Sequence, residues 1–216
     1  MADSRFRLGR HYDFYELLAD GVVHGIGVAL ALVGVAFLIP HVSAQAGPTE
    51  VLATAIYAAG LILSLAASFT YNMMPKSPLK WYLRRLDHSA IFILIAATYT
   101  PFLHKASSDP TALALLVCIW VTAALGVALK CLLPGRYDRL AIFLYLLMGW
   151  SGLIAFRPIA DNLPPVSMLL IVIGGIVYSV GVIFHVWEKL RFQNAIWHGF
   201  VVTAAAIHFA AVVVAV

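Results

Sequence analysis

Charge is scarce in this chain. Asp, Glu, Lys and Arg make up 11% of its 216 residues, whereas 62% are hydrophobic. A soluble domain is about a quarter charged and about half apolar. A fold of this size has too little interior to hide the excess, so the composition requires lipid as solvent. Cysteine is almost absent. Cys118 and Cys131 lie in one apolar segment, too far apart along a helix to bridge, and read as buried free thiols. Period-two alternation is missing from every apolar run, which excludes barrel strands. There is no loop long enough to fold alone, no clear internal repeat and no low-complexity tract. The formal net charge is +4, but sparse charges on short loops make a poor phosphate-binding face, so no nucleic-acid partner is expected.

What the chain does have is apolar runs. A hydrocarbon core about 30 Å thick needs roughly 20 apolar residues in a helix. The candidate spans are Val22–Pro40, Val51–Tyr71, Ser89–Leu103, Thr111–Leu133, Leu140–Phe156, Val166–Trp187 and Ala195–Val216. The third and fifth are short and should extend into their flanks. Breaks are expected at Gly47-Pro48, Pro75 to Pro78, Asp109-Pro110, Pro134-Gly135, Arg157-Pro158 and Pro164-Pro165. Ala44-Gln45-Ala46 imitates a signal-peptide cleavage site. The leading segment nevertheless carries Asp3, Asp13, Glu16 and Asp20, and the apolar run exceeds the usual ~7–15 residues, so cleavage is not expected.

Basic residues set the orientation. One side holds Arg5, Arg7, Arg10, Lys76, Lys80, Arg84, Arg85, Lys130, Arg136, Arg139, Lys189 and Arg191, and the other only Lys105 and Arg157. The expected architecture is all-α: a polytopic seven-transmembrane helix bundle with its N-terminus in the cytoplasm. Residues 1–216 form one membrane domain, of which 1–20 are a cytoplasmic N-terminal segment. Gly21, Gly25, Gly27, Gly34 and Gly174-Gly175 fit close packing between helices.

Polar side chains are expensive in lipid, so their placement is informative. Glu16, Asp20 and His24 recur every four residues at the start of span one and share a helix face. Ser68 and Asn72 repeat that spacing at the end of span two, and Asn194 and His198 at the start of span seven. Asp87 and His88 open span three, while His185 and Glu188 close span six. Taken singly, Asp20, Asp87 and Asn194 fit helix capping, and His24 or His208 fits a satisfied core histidine. Together they crowd one leaflet boundary, where independent caps would divide between both. This distribution points to a polar site opening toward the cytoplasm.

Longer motifs accompany these positions. They are Glu16–Asp20–His24-Gly25-Ile26-Gly27, the run from Leu83 through Arg84-Arg85-Leu86-Asp87-His88-Ser89 to Ile91, and Ala97-Thr98-Tyr99-Thr100-Pro101-Phe102. Pro134-Gly135-Arg136, Phe184-His185-Val186-Trp187-Glu188 and Ile196-Trp197-His198 complete them. Over nearly its whole length the chain resembles the hemolysin III family, the bacterial branch of the progestin and adipoQ receptor membrane proteins. The resemblance implies a bacterial inner-membrane protein with a metal site near the cytoplasmic face. Eukaryotic relatives bind zinc there with three histidines, aided by an aspartate and a serine. Carried over, the resemblance assigns the serine to Ser68, the aspartate to Asp87 and one histidine to His198. The other two histidine positions fall on Asn72 and Asn194. Amide oxygens are weak zinc ligands, so a degenerate zinc site is expected, with Glu16, Asp20, His24, His88 and His185 as further pocket residues.

Three functions follow from this. The first is a non-catalytic lipid- or ion-responsive membrane factor whose partners are membrane lipids or a small lipid ligand. The second is a zinc-dependent hydrolase of lipid amides or esters, with Asp87 as base. A pore-forming cytolysin ranks third, because a pore requires a polar stripe through the bilayer and the mid-span residues are mostly Ala, Val, Leu and Ile.

Overall fold

The computed structural model describes residues 12–133 and 135–216. Arg5, Arg7 and Arg10 of the basic tally, and Pro134 of one motif, therefore lie outside the described residues. Eight α-helices follow one another: α1 (Phe14–Gln45), α2 (Pro48–Met73), α3 (Pro78–Lys105), α4 (Pro110–Leu132), α5 (Asp138–Trp150), α6 (Phe156–Asn162), α7 (Pro165–Val186) and α8 (Gln193–Ala215). Joined through a 3-10 turn, α5 and α6 make one crossing, so seven segments are long and apolar enough to span a membrane. The chain is a multi-pass membrane protein. Tight connections make successive spans antiparallel, and the seven described spans place the start of α1 and the end of α8 on opposite sides.

Proline and short polar caps punctuate the helices. α2, α3, α4 and α7 each begin with a proline at the first position, where a missing N–H costs nothing. Asp13 starts α1 through a capping box with Glu16, Ser77 caps α3, and Asp109 caps α4. Asp20, Asp87 and Asn194, which singly fit a capping role, all lie inside their helices. Other boundaries also move. α1 runs on past Pro40, and α3 runs through Pro101 as its expected span did, since packing can hold a kinked helix together. α3 gains about three turns before Ser89, and span five extends to Asn162, as their shortness led us to expect.

The break expected at Arg157-Pro158 falls instead at the 3-10 turn Ser151–Ala155, leaving Pro158 in the first turn of α6, where proline is tolerated. The Tyr99 hydroxyl repairs that turn. It donates to the Gly149 carbonyl at 2.6 Å and accepts from the Gly152 N–H at 2.9 Å.

α1 packs against α2 and α8, α3 against α2 and α4, and α7 against α8. Glycines permit several of these approaches: a Cβ on Gly27 would lie 2.6 Å from Val202, and one on Gly174 would collide with His208. Gly25 differs from the expectation, having nothing within 4 Å. The cysteines differ too, for both are exposed on the helix surface. Gly126 is the tightest test of packing. An added methyl would fall 2.5 Å from the ring of Phe92, which is 0% exposed and cannot retreat. Gly126→Ala is expected to cost about 1–3 kcal/mol, with Gly25→Ala near neutral. Equal melting temperatures for the two variants in detergent would refute that packing argument.

Candidate functional site

Along α1 the polar ladder faces inward. Glu16, Asp20 and His24 are buried, while Leu17, Leu18, Val22 and Ile26 between them are exposed on the outer surface. This reverses the usual amphipathic helix and has the same cause, because lipid is the outer solvent. Glu16 serves the backbone. Its carboxylate accepts from the Asp13 N–H at 3.0 Å and from the Phe192 N–H at 3.1 Å, joining the starts of α1 and α8.

One turn deeper lies the centre. Asp20 Oδ1 accepts from His198 Nδ1 at 2.7 Å, and Oδ2 accepts from the Asn194 amide at 2.8 Å. The Asn194 amide also donates to Asn72 Oδ1 at 3.0 Å, and the Asn72 amide donates to the Ser68 carbonyl at 2.9 Å. His24 Nδ1 lies 2.8 Å from the Asp20 carbonyl. Both imidazoles thus present Nδ1 to an oxygen that can only accept, which fixes the proton there and leaves a lone pair on Nε2 in the neutral ring. The two Nε2 atoms converge on one hydroxyl, Ser68 Oγ, at 3.1 Å from His24 and 3.5 Å from His198. Asp87, buried on α3, lies within electrostatic range of both Ser68 and His24.

α1, α2, α3 and α8 therefore bring together Asp20, His24, Ser68, Asn72, Asp87, Asn194 and His198. Two expected pocket residues stand apart. His88 turns away, 3.9 Å from Asp138 and edge-on to Tyr71. His185 lies at the end of α7, its ring 4.9 Å from that of Trp197. His208, deeper in the bundle, reaches the Ile171 carbonyl at 3.1 Å and is a satisfied core histidine.

Asp20, His24 and His198 offer donor atoms within 4.8 Å of one another. One carboxylate and two imidazoles match the kind and number of protein ligands in open zinc sites, so these residues fit such an ion. The asparagines enter the centre as hydrogen-bond partners, bracing Asp20 and Ser68.

Sequence reasoning missed a second polar group at the same end of the bundle. Lys130 on α4 is 2% exposed and donates to Asp138 Oδ1 at 2.6 Å, while Arg84 Nη2 donates to Asp138 Oδ2 at 2.7 Å. Arg84 and Lys130 counted only as topology charges, and Asp138 drew no attention. A lysine ending an apolar helix eight residues before an aspartate was the available signal.

Residues 16–209, which include every member of the centre, match the Haemolysin-III related family. The chain belongs to the hemolysin III family. It is similar to the Hemolysin-3 homolog of Bacillus subtilis (strain 168), 36% identical over 90% of this chain and 91% of that protein. It is 37% identical to the Hemolysin-3 of Bacillus cereus, over 90% and 89% of the two chains. The human Monocyte to macrophage differentiation factor is 31% identical over 92% of this chain and 83% of its own length, so the progestin and adipoQ receptor side of the hemolysin III relationship is present as well. No solved structure matches.

Proposed function

We propose that this hemolysin III protein is an ion-responsive membrane factor that turns over no substrate, its N-terminus facing the bacterial cytoplasm. The observation that carries this reading is the convergence of two Nε2 lone pairs on Ser68 Oγ, with the Asp20 carboxylate behind His198, in a centre closed by its own hydrogen bonds. Asp20, His24 and His198 are 2%, 3% and 8% exposed. An ion entering there must replace contacts that now join α1, α2 and α8, so occupancy reports on helix packing. Asp20, His24 and His198 would hold a zinc-class ion. Such an ion supplies Lewis acidity and lowers the pKa of a bound water. The near-complete burial of these three side chains favours sensing over hydrolysis.

Asp87 supports the second reading. A buried carboxylate beside Ser68 and His24 is placed as a base would be in a lipid amide hydrolase. Metal analysis of gently purified protein, together with hydrolysis of a fluorogenic ceramide, separates the two readings. The wild type is expected to lose zinc on dialysis and to leave the ceramide intact. Asn72→His with Asn194→His is expected to improve zinc retention by more than about tenfold, the scale of losing even an outer-shell partner. Wild-type hydrolysis abolished by Asp87→Ala would sink the non-catalytic reading.

A further inference from the structure

α3, α4 and the turn into α5 enclose a shallow cleft lined by Trp81, Arg84, Arg85, His88, Lys130 and Gly135. Three of these six side chains are cations at neutral pH. Asp138 answers two of them, Lys130 at 2.6 Å and Arg84 at 2.7 Å. Asp87 is a further carboxylate in electrostatic range of Arg84, from the Ser68 side of α3. Among the described residues no carboxylate pairs with Arg85. Its guanidinium carbon lies 3.6 Å from the ring centre of Trp81, and its buried Nε has no hydrogen-bond partner among the described residues. Native proteins rarely leave such a donor unanswered. The turn approaches the same cations closely: Gly135, at φ +74°, leaves room where a Cβ would lie 3.1 Å from Arg84 Nη1.

We propose that this cleft binds the phosphate of an anionic phospholipid head group. Guanidinium forks and an ammonium are the groups that recognise phosphate oxygens. Basic pockets between membrane helices recur as anionic head-group sites. The cleft is shallow and open on one side, so its cations are reached from the surface. A phosphate would meet these cations at the cleft mouth, with its acyl chains outside. Exposed apolar side chains on the contributing elements, Tyr82, Leu86 and Leu132, suit such chains and give nothing to a soluble phosphate.

The test is native mass spectrometry of the full-length protein released from nanodiscs of equal parts phosphatidylglycerol and phosphatidylcholine. One phosphatidylglycerol should be retained in preference to phosphatidylcholine. Arg85→Gln should lower its occupancy about tenfold, the worth of a charge-assisted hydrogen bond. Arg85→Lys, which keeps the charge and the fold but loses the fork, should be intermediate, and millimolar inorganic phosphate should displace nothing. Equal retention of the two lipids, unchanged occupancy in folded Arg85→Gln, or displacement by inorganic phosphate would each overturn the assignment.

Discussion

Asp138→Ala is expected to destabilise the protein by about 3–5 kcal/mol, the cost of stranding a buried charge. The reason is an asymmetry of burial. Lys130 is 2% exposed and Arg84 22%, whereas their shared carboxylate is 38% exposed. Without Asp138, the Lys130 ammonium sits inside a helix bundle with no counter-ion in contact. Lys130→Met acts differently: its stem is replaced by apolar volume, and Asp138 keeps Arg84 and access to water. That variant should cost no more than about 1 kcal/mol, since a partly exposed pair is worth little. Thermal unfolding of both variants in one detergent measures the difference. Similar melting temperatures would show that Lys130 is not held as the geometry describes.

Asp20→Ala should have the second-largest effect. The substitution leaves two buried donors, His198 Nδ1 and the Asn194 amide, facing a void. At about 1–3 kcal/mol for each orphaned donor, the expected loss is about 2–6 kcal/mol. It should also abolish the rise in melting temperature expected of the wild type on adding zinc, because one of three donors is gone and His198 loses the carboxylate that orients it. Asp20→Asn separates the two effects by keeping the shape and an acceptor oxygen: it should recover part of the stability and little of the zinc response. A full zinc response in Asp20→Ala would exclude Asp20 from the site.

The four-residue ladders were legible because helix periodicity alone puts Glu16, Asp20 and His24 on one face, and likewise Ser68 with Asn72 and Asn194 with His198. Knowing that these faces meet required the helix order around the bundle, which no single helix encodes. His88 illustrates the limit. Adjacent residues on a helix point about 100° apart, so Asp87 faces Ser68 while His88 faces Asp138. Reading the pair as one unit placed both in the same pocket. Helix ends failed for a different reason. Pro40, where the expected first span stopped, looks like a terminator in isolation, but helices in lipid continue through proline when neighbours satisfy the freed carbonyls. Asp20 and Asp87 were readable singly as caps, and only their places inside long helices distinguish them from the true caps Asp13 and Ser77.

The contact between Asp20 and His198 spans 178 residues of sequence. At about 5–20 residues per second, a ribosome needs roughly 10–35 s to make that stretch. For that interval α1 exists with Asp20 and His24 but without α8, which carries two partners of its carboxylate. An aspartate costs about 3 kcal/mol at the centre of a span on the insertion scale and less near a boundary, where Asp20 stands, and the strongly apolar remainder of α1 carries that deficit. A chain cut short before α8 would leave the Asp20 carboxylate with His24 beside it but without His198 and Asn194.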